Sequence, residues 1–100
     1  MPATNLSSNY KQFIEMAKTG YYPLFFDEWV KTSLTPGQMV SLSMANQKVQ
    51  TVFSSLERHR TIEKKKTALI TMDKISREDF IRSFFKVVEH QVLKEDLKLQ

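Results

Sequence analysis

The stretch from Met72 to Leu93, MDKISREDFIRSFFKVVEHQVL, constrains this chain most. Ser76 is placed to cap a helix, with Asp79 at the third helical position to complete a capping box. Ile75, just before that cap, is placed to staple onto Phe80. Glu78 and Asp79 then lie near the positive end of the helix dipole, a favourable placement worth about 0.3–1 kcal/mol each. Phe80, Ile81, Phe84, Phe85, Val87, Val88 and Val92 follow at helical spacing. That stripe is wide, so the helix must face two neighbours or a groove.

The remaining text supplies the neighbours. Tyr10, Phe13, Ile14 and Ala17 share a face of a first helix that Ser7 or Ser8 can cap. Lys18-Thr19-Gly20 has the order of a helix end, a cation and then a residue free to take positive φ. Pro23 suits the start of a second helix carrying Leu24, Phe25, Phe26, Trp29 and Val30, which ends near Thr32 to Leu34. Thr35-Pro36-Gly37-Gln38 reads as a capped start for a third, long helix reaching Arg58 or beyond. Arg58 to Lys66 is nearly all polar, either a solvated continuation of that helix or a basic loop. Leu93, Leu97 and Leu99 fall in a terminal stretch that can fray. With 2 glycines and 3 prolines in 100 residues, a turn-rich sheet is disfavoured. The expected fold is all-α, a compact bundle of four or five helices. Residues 1–8 are a flexible N-terminus, and 9–96 form a single helical domain with a basic polar segment at 58–66.

Several chemistries have little support. The chain has no cysteine, which removes disulfides, thiol catalysis and thiolate metal sites together. Neither His59 nor His90 has a second histidine at metal-binding spacing, and there is no G-x-S-x-G motif or P-loop. The carboxylate pairs Asp27/Glu28, Glu78/Asp79 and Glu95/Asp96 are neighbours in sequence, which diverge by about 100° on a helix. No enzyme activity, metal or cofactor is therefore expected. No apolar run approaches the roughly 20 residues of a membrane span, and the N-terminal residues lack the apolar stretch of a signal peptide.

The charge suggests binding. Net charge is +4. The second half holds eleven Lys/Arg against eight acids, the first half four against three. Arg58, Arg60, Lys64, Lys65 and Lys66, opposed only by Glu63, could contact phosphates. Nucleic-acid binding is thus one expectation, although no helix rich in Arg, Asn and Gln is available to read bases. The aromatics suggest another. Adjacent residues on a helix diverge, so Phe25-Phe26 and Phe84-Phe85 cannot all point inward. Aromatic surface beside Lys74, Arg77, Arg82 and Lys86 suits a partner both acidic and apolar, such as an amphipathic disordered segment in a groove. Self-association through exposed aromatics is a third expectation.

Two blocks together resemble a known family. Tyr22-Pro23-Leu24-Phe25, then Leu34, Pro36, Met39 and Leu42, then Lys74 to Arg82 (KISREDFIR) resemble the RST domain. That is the small helical module of plant SRO-type proteins and of a subunit of the general transcription factor TFIID. Val88 to Leu93 matches the family's end only in part, because Glu89 stands where a glycine is usual, which favours continuous helix there. Met39 and Lys74 are also 35 positions apart, longer than in the family, so residues around 45–70 act as an insertion. The resemblance covers roughly residues 21–95. It implies an all-helical hub, intracellular and nuclear, that binds short acidic-hydrophobic segments of transcription factors. With the composition, it places the partner-binding residues at Phe25, Trp29, Met39, Lys74, Arg77, Arg82, Phe84, Phe85 and Lys86.

Overall fold

The computed structural model describes residues 5–34 and 40–99, with side chains described for 10–34 and 40–95. Five helices run in order: α1 (Asn5–Lys18), α2 (Asp27–Ser33), α3 (Leu42–Leu56), α4 (Ile62–Thr71) and α5 (Lys74–Leu99). There is no strand among the described residues, so the fold is an all-α bundle. The last helix is its axis, packing against α1, α2 and α3.

Helix α1 begins at Asn5, upstream of Ser7 and Ser8. Its end follows the Lys-Thr-Gly signal. Gly20 takes φ +93°, its N–H bonds to Ala17 O at 3.0 Å, and Tyr21 N–H reaches Met16 O at 3.1 Å. This is the paired closure of a Schellman motif.

Other boundaries differ from expectation. Pro23 does not start α2. Tyr22 to Phe25 close a turn at 3.2 Å, and extended Phe26 (φ −78°, ψ 148°) precedes the helix. Residues 24 and 25 are both buried, and this turn lets the two sink together where a helix would splay them. The dipole-favoured acids Asp27 and Glu28 open the helix instead. The Thr35–Gln38 start signal lies outside the described residues. Ser41 caps α3, its Oγ accepting from Met44 N–H at 3.3 Å.

The segment 58–66 does not continue α3: residues 58–61 are a connection and 62–66 open a separate helix. Helix α3 stops at Leu56, and His59 N–H bonds back to Leu56 O at 2.9 Å. Thr61 then caps α4, its Oγ1 accepting from Lys64 N–H at 3.1 Å. The polar run conceals the start of a capped helix whose core-facing apolar residues, Ala68 and Leu69, come only in its second half.

Helix α5 begins at Lys74, and Asp73 caps it in place of Ser76. Asp73 Oδ2 accepts from Ser76 N–H at 2.9 Å, while Asp73 O takes the first helical bond, from Arg77 N–H. Asp caps as well as Ser, and here it stands three residues earlier. Ile75 is 74% exposed, so the expected staple onto Phe80 is absent. The helix runs on through Glu89.

The core is aromatic. Phe25 meets Phe84 edge-on at 5.1 Å and Phe80 at 5.8 Å, while Phe53 bridges Phe80 (5.6 Å) and Phe13 (5.7 Å). Such pairs add about 0.5–1.5 kcal/mol beyond area burial. Each adjacent aromatic pair splits: Phe25 and Phe84 turn inward, Phe26 outward, and Phe85 sits half-buried against Tyr22 at 5.7 Å.

A cation–aromatic ledge between two short helices

The first surface residue after the Tyr22–Phe25 turn is Phe26, 43% exposed, and its ring meets Trp29 edge-on at 4.7 Å. Two cations lie against this pair. Lys66 Nζ sits 4.1 Å from the Phe26 ring centre, and the Arg77 guanidinium carbon sits 4.5 Å from that of Trp29. A ring face is negative, so each contact is attractive, about 0.5–1 kcal/mol at an exposed site.

Helix α4 forms the other wall. Its inward stripe is Lys65 and Leu69. One residue further along, about 100° around the helix, Ile62, Lys66 and Ile70 fall four apart on one flank. Ile62 and Ile70 are both exposed. The ledge is thus an aromatic pair and an aliphatic–cation–aliphatic row, joined where Lys66 reaches Phe26.

The clasp that positions α4 is Arg77. Its Nη1 donates to Leu69 O (3.3 Å), Ile70 O (3.5 Å) and Met72 O (3.4 Å), satisfying carbonyls at the end of α4. Its Nε is buried without a partner. Arg82 does the same for α2, donating to Ser33 O at 3.4 Å while pairing with Asp79 at 3.8 Å. Asp79 also meets Lys48 of α3 at 3.5 Å.

Two groups near the ledge carry shifted acidities. Hydrogen bonds from Ser76, chiefly backbone and then hydroxyl, hold the Asp73 carboxyl below its ordinary range. Tyr22 donates its hydroxyl to Asp27 Oδ1 at 2.9 Å, and that bond raises its pKa above the usual phenol value. On the far side, Lys18 is raised by hydrogen bonds to Glu95 and Glu15, tying α1 to α5.

The residues expected to bind a partner therefore divide. Phe25 and Phe84 are core, 4% and 1% exposed, and cannot anchor a ligand. Arg82 is spent on the end of α2. Phe85 is half-buried in the aromatic cluster, and Lys86 pairs with Glu89 at 3.6 Å. Lys74 is exposed at the start of α5. Met39 lies outside the described residues. The structure brings Trp29 and Arg77 together, with Arg77 acting as a clasp rather than a free rim cation. Of the basic cluster, Lys65 is 6% exposed and donates to His59 O, so it is withdrawn from phosphate contact. Its long stem lines the core while its head finds a carbonyl. Arg58, Arg60 and Lys64 remain exposed, and Arg58 donates to Ser55 O at 3.4 Å.

Phe26, Ile62 and Ile70 were not among the expected site residues. The four-residue spacing of Ile62, Lys66 and Ile70 was available in the sequence, but it lies in text dominated by lysines.

A shallow groove of about 320 Å³ between α3 and α5, lined by Met44, Lys48, Asp79 and Ser83 among others, is crossed by the Lys48–Asp79 pair. Among the described residues no cluster of three His, Asp or Glu suits a metal ion, and no helix is long and apolar enough to cross a membrane. Neither protein-family models, curated proteins nor solved structures give a match to this chain.

Proposed function

We propose that this protein is an interaction module that binds short acidic-hydrophobic segments, of the kind found in disordered regions of transcription factors, on the ledge between α2 and α4. The observation that carries this reading is Lys66, set on the Phe26 ring between exposed Ile62 and Ile70. A carboxylate can approach the open side of that ammonium while apolar side chains cover the isoleucines and the aromatic pair. Arg58, Arg60 and Lys64, exposed at the start of α4, add positive potential that speeds encounter with an acidic chain. Ordering the ligand costs free energy, so affinity is modest. The RST resemblance implies the same ligand class, and a nuclear setting belongs to this proposal. No reaction is part of it.

The test is an NMR titration of the labelled chain with an acidic amphipathic peptide. Amides of 26–29 and 62–70 shift, and Lys66→Glu weakens binding at least tenfold without loss of dispersion. If those amides stay still at millimolar peptide, the reading is wrong. Nucleic acid is the competing ligand, weakened by the burial of Lys65. A single-stranded oligonucleotide retained with a steep salt dependence, in place of any peptide, would favour it.

A further inference from the structure

Resting on the ledge reading above, we infer that the segment bound there is a helix lying along α4. It presents two apolar anchors about two helical turns apart, with an acidic side chain midway between them.

The spacing comes from α4 itself. Ile62, Lys66 and Ile70 are four residues apart, so at 1.5 Å per residue they form a row about 6 Å and 12 Å along the axis. The row reads apolar, cation, apolar, and its complement reads apolar, acid, apolar at the same pitch. The cation does not lie between the isoleucines by chance of rotamer alone, because contact with the Phe26 ring at 4.1 Å holds it there. A carboxylate at the midpoint therefore meets a pre-placed ammonium, which reduces the ordering cost of the pair.

Backbone hydrogen bonding decides for a helix over an extended segment. An extended ligand leaves its N–H and C=O groups seeking partners, usually the edge of a sheet. No strand exists among the described residues to offer such an edge. Helix α4 also has its own backbone closed: Thr61 takes Lys64 N–H at one end, and Arg77 takes Leu69 O and Ile70 O at the other. A ligand helix satisfies its own backbone and needs only side-chain complementarity. Its i, i+4, i+8 positions share one face and match the row.

Charge names the acid's place as well as its sign. Glu63, the acid within the basic run, is exposed and one residue past Ile62, off the flank that carries the row. Nothing acidic on that flank of α4 competes for Lys66, which rests on the Phe26 ring.

Three peptides of one length test this on the intact chain. The first carries Leu-x-x-x-Glu-x-x-x-Leu within an alanine-rich helix. The second moves the glutamate to the opposite face, and the third replaces it with glutamine. Titration followed by amide shifts is expected to give at least tenfold tighter binding for the first than for either other. Lys66→Met, which keeps the apolar stem, removes that difference, and Lys66→Gln serves if the methionine variant misfolds. Ile62→Ser, at an exposed position, weakens the first peptide severalfold, and a change of its facing leucine to alanine then costs little more. If the three peptides bind alike, or the preference survives Lys66→Met, the inference is overturned while the ledge reading stands. If no peptide shifts residues 26–29 or 62–70, the ledge reading itself falls, and the inference with it.

Discussion

The two sides of α5 are held by different forces. Toward α1 and α3 it buries Phe80, Ile81, Phe84 and Val87 against Phe13, Val49, Phe53 and Leu56, all nearly free of solvent. Toward α2 and α4 it adds arginine contacts to the packing of Trp29, Val30 and Leu69: Arg82 on Ser33 O, and Arg77 on carbonyls at the end of α4. Apolar burial is non-directional and grows with area, about 25 cal/mol per Å². Side-chain-to-carbonyl bonds are directional, and each nets only about 1–3 kcal/mol when charged. The first side can therefore be filled, while the second can be positioned and still leave apolar residues uncovered. That is why Phe26, Ile62 and Ile70 are exposed beside α2 and α4. A binding face is easier to keep open where directional polar clasps supplement the apolar packing that seats the helices.

The comparison breaks first at Phe80. Its ring is fully buried between Phe25 and Phe53. Phe80→Ala is expected to cost about 3–5 kcal/mol through lost transfer energy and the cavity left behind. A domain this size holds only about 5–15 kcal/mol in total. Urea unfolding should therefore show a large fall in midpoint, with helicity lost everywhere at once. A fall confined to α2 and α4 would mean that the aromatic side does not carry the fold.

Arg77 probes the other side. Arg77→Ala removes the shared Nη1 hydrogen bonds to the Leu69, Ile70 and Met72 carbonyls and the cover on Trp29. The expected loss is about 1–3 kcal/mol. Hydrogen exchange should locate it, with α4 amides losing protection and the centre of α5 keeping it. Arg77→Lys should not rescue, because an ammonium lacks the planar fork that reaches several acceptors. Uniform loss of protection would show that α4 folds as one unit with the core, and the contrast between the two sides would be wrong.

How far the sequence revealed this arrangement follows the same division. The apolar side was readable: helical class, the stripe on α5, the faces of α1, and the turn at Gly20 are written in spacing and local propensity. The polar side was not. Capping signals overlap: spacing points to Ser76 as the cap, and the geometry puts it at Asp73, three residues earlier. The run IEKKK looked like a solvated face because charge count hides which stems lie inward, and Lys65 is buried while Lys66 is not. Trp29 and Arg77 were each among the expected partner-binding residues, but their contact joins residues 48 positions apart, beyond any local pattern. Phe25 and Phe84 were marked as surface candidates because divergence of neighbours says that one of each pair is exposed without saying which.

The smallest expected effect is the most specific to the junction between α4 and α5. Asp73 holds its proton less tightly when folded, because Ser76 donates to its carboxylate. A carboxyl with a lowered folded value stabilises the fold above its ordinary range, and that contribution disappears as pH falls through the folded value. Acidification from about pH 5 downward should therefore weaken this cap progressively. Asp73→Asn keeps a capping acceptor without the titration, so part of the pH dependence should vanish in that variant. The change should be modest and should shrink with added salt, since the group faces solvent. Exchange rates can place it: amides at 71–77 should open first in acid, ahead of the Phe80–Val88 stretch. If the Phe80–Val88 amides open with them at the same pH, the clasped side and the packed side are one cooperative unit. If acid opening at 71–77 is unchanged in Asp73→Asn, the cap does not govern the junction, and the hold on α4 rests on Arg77 alone.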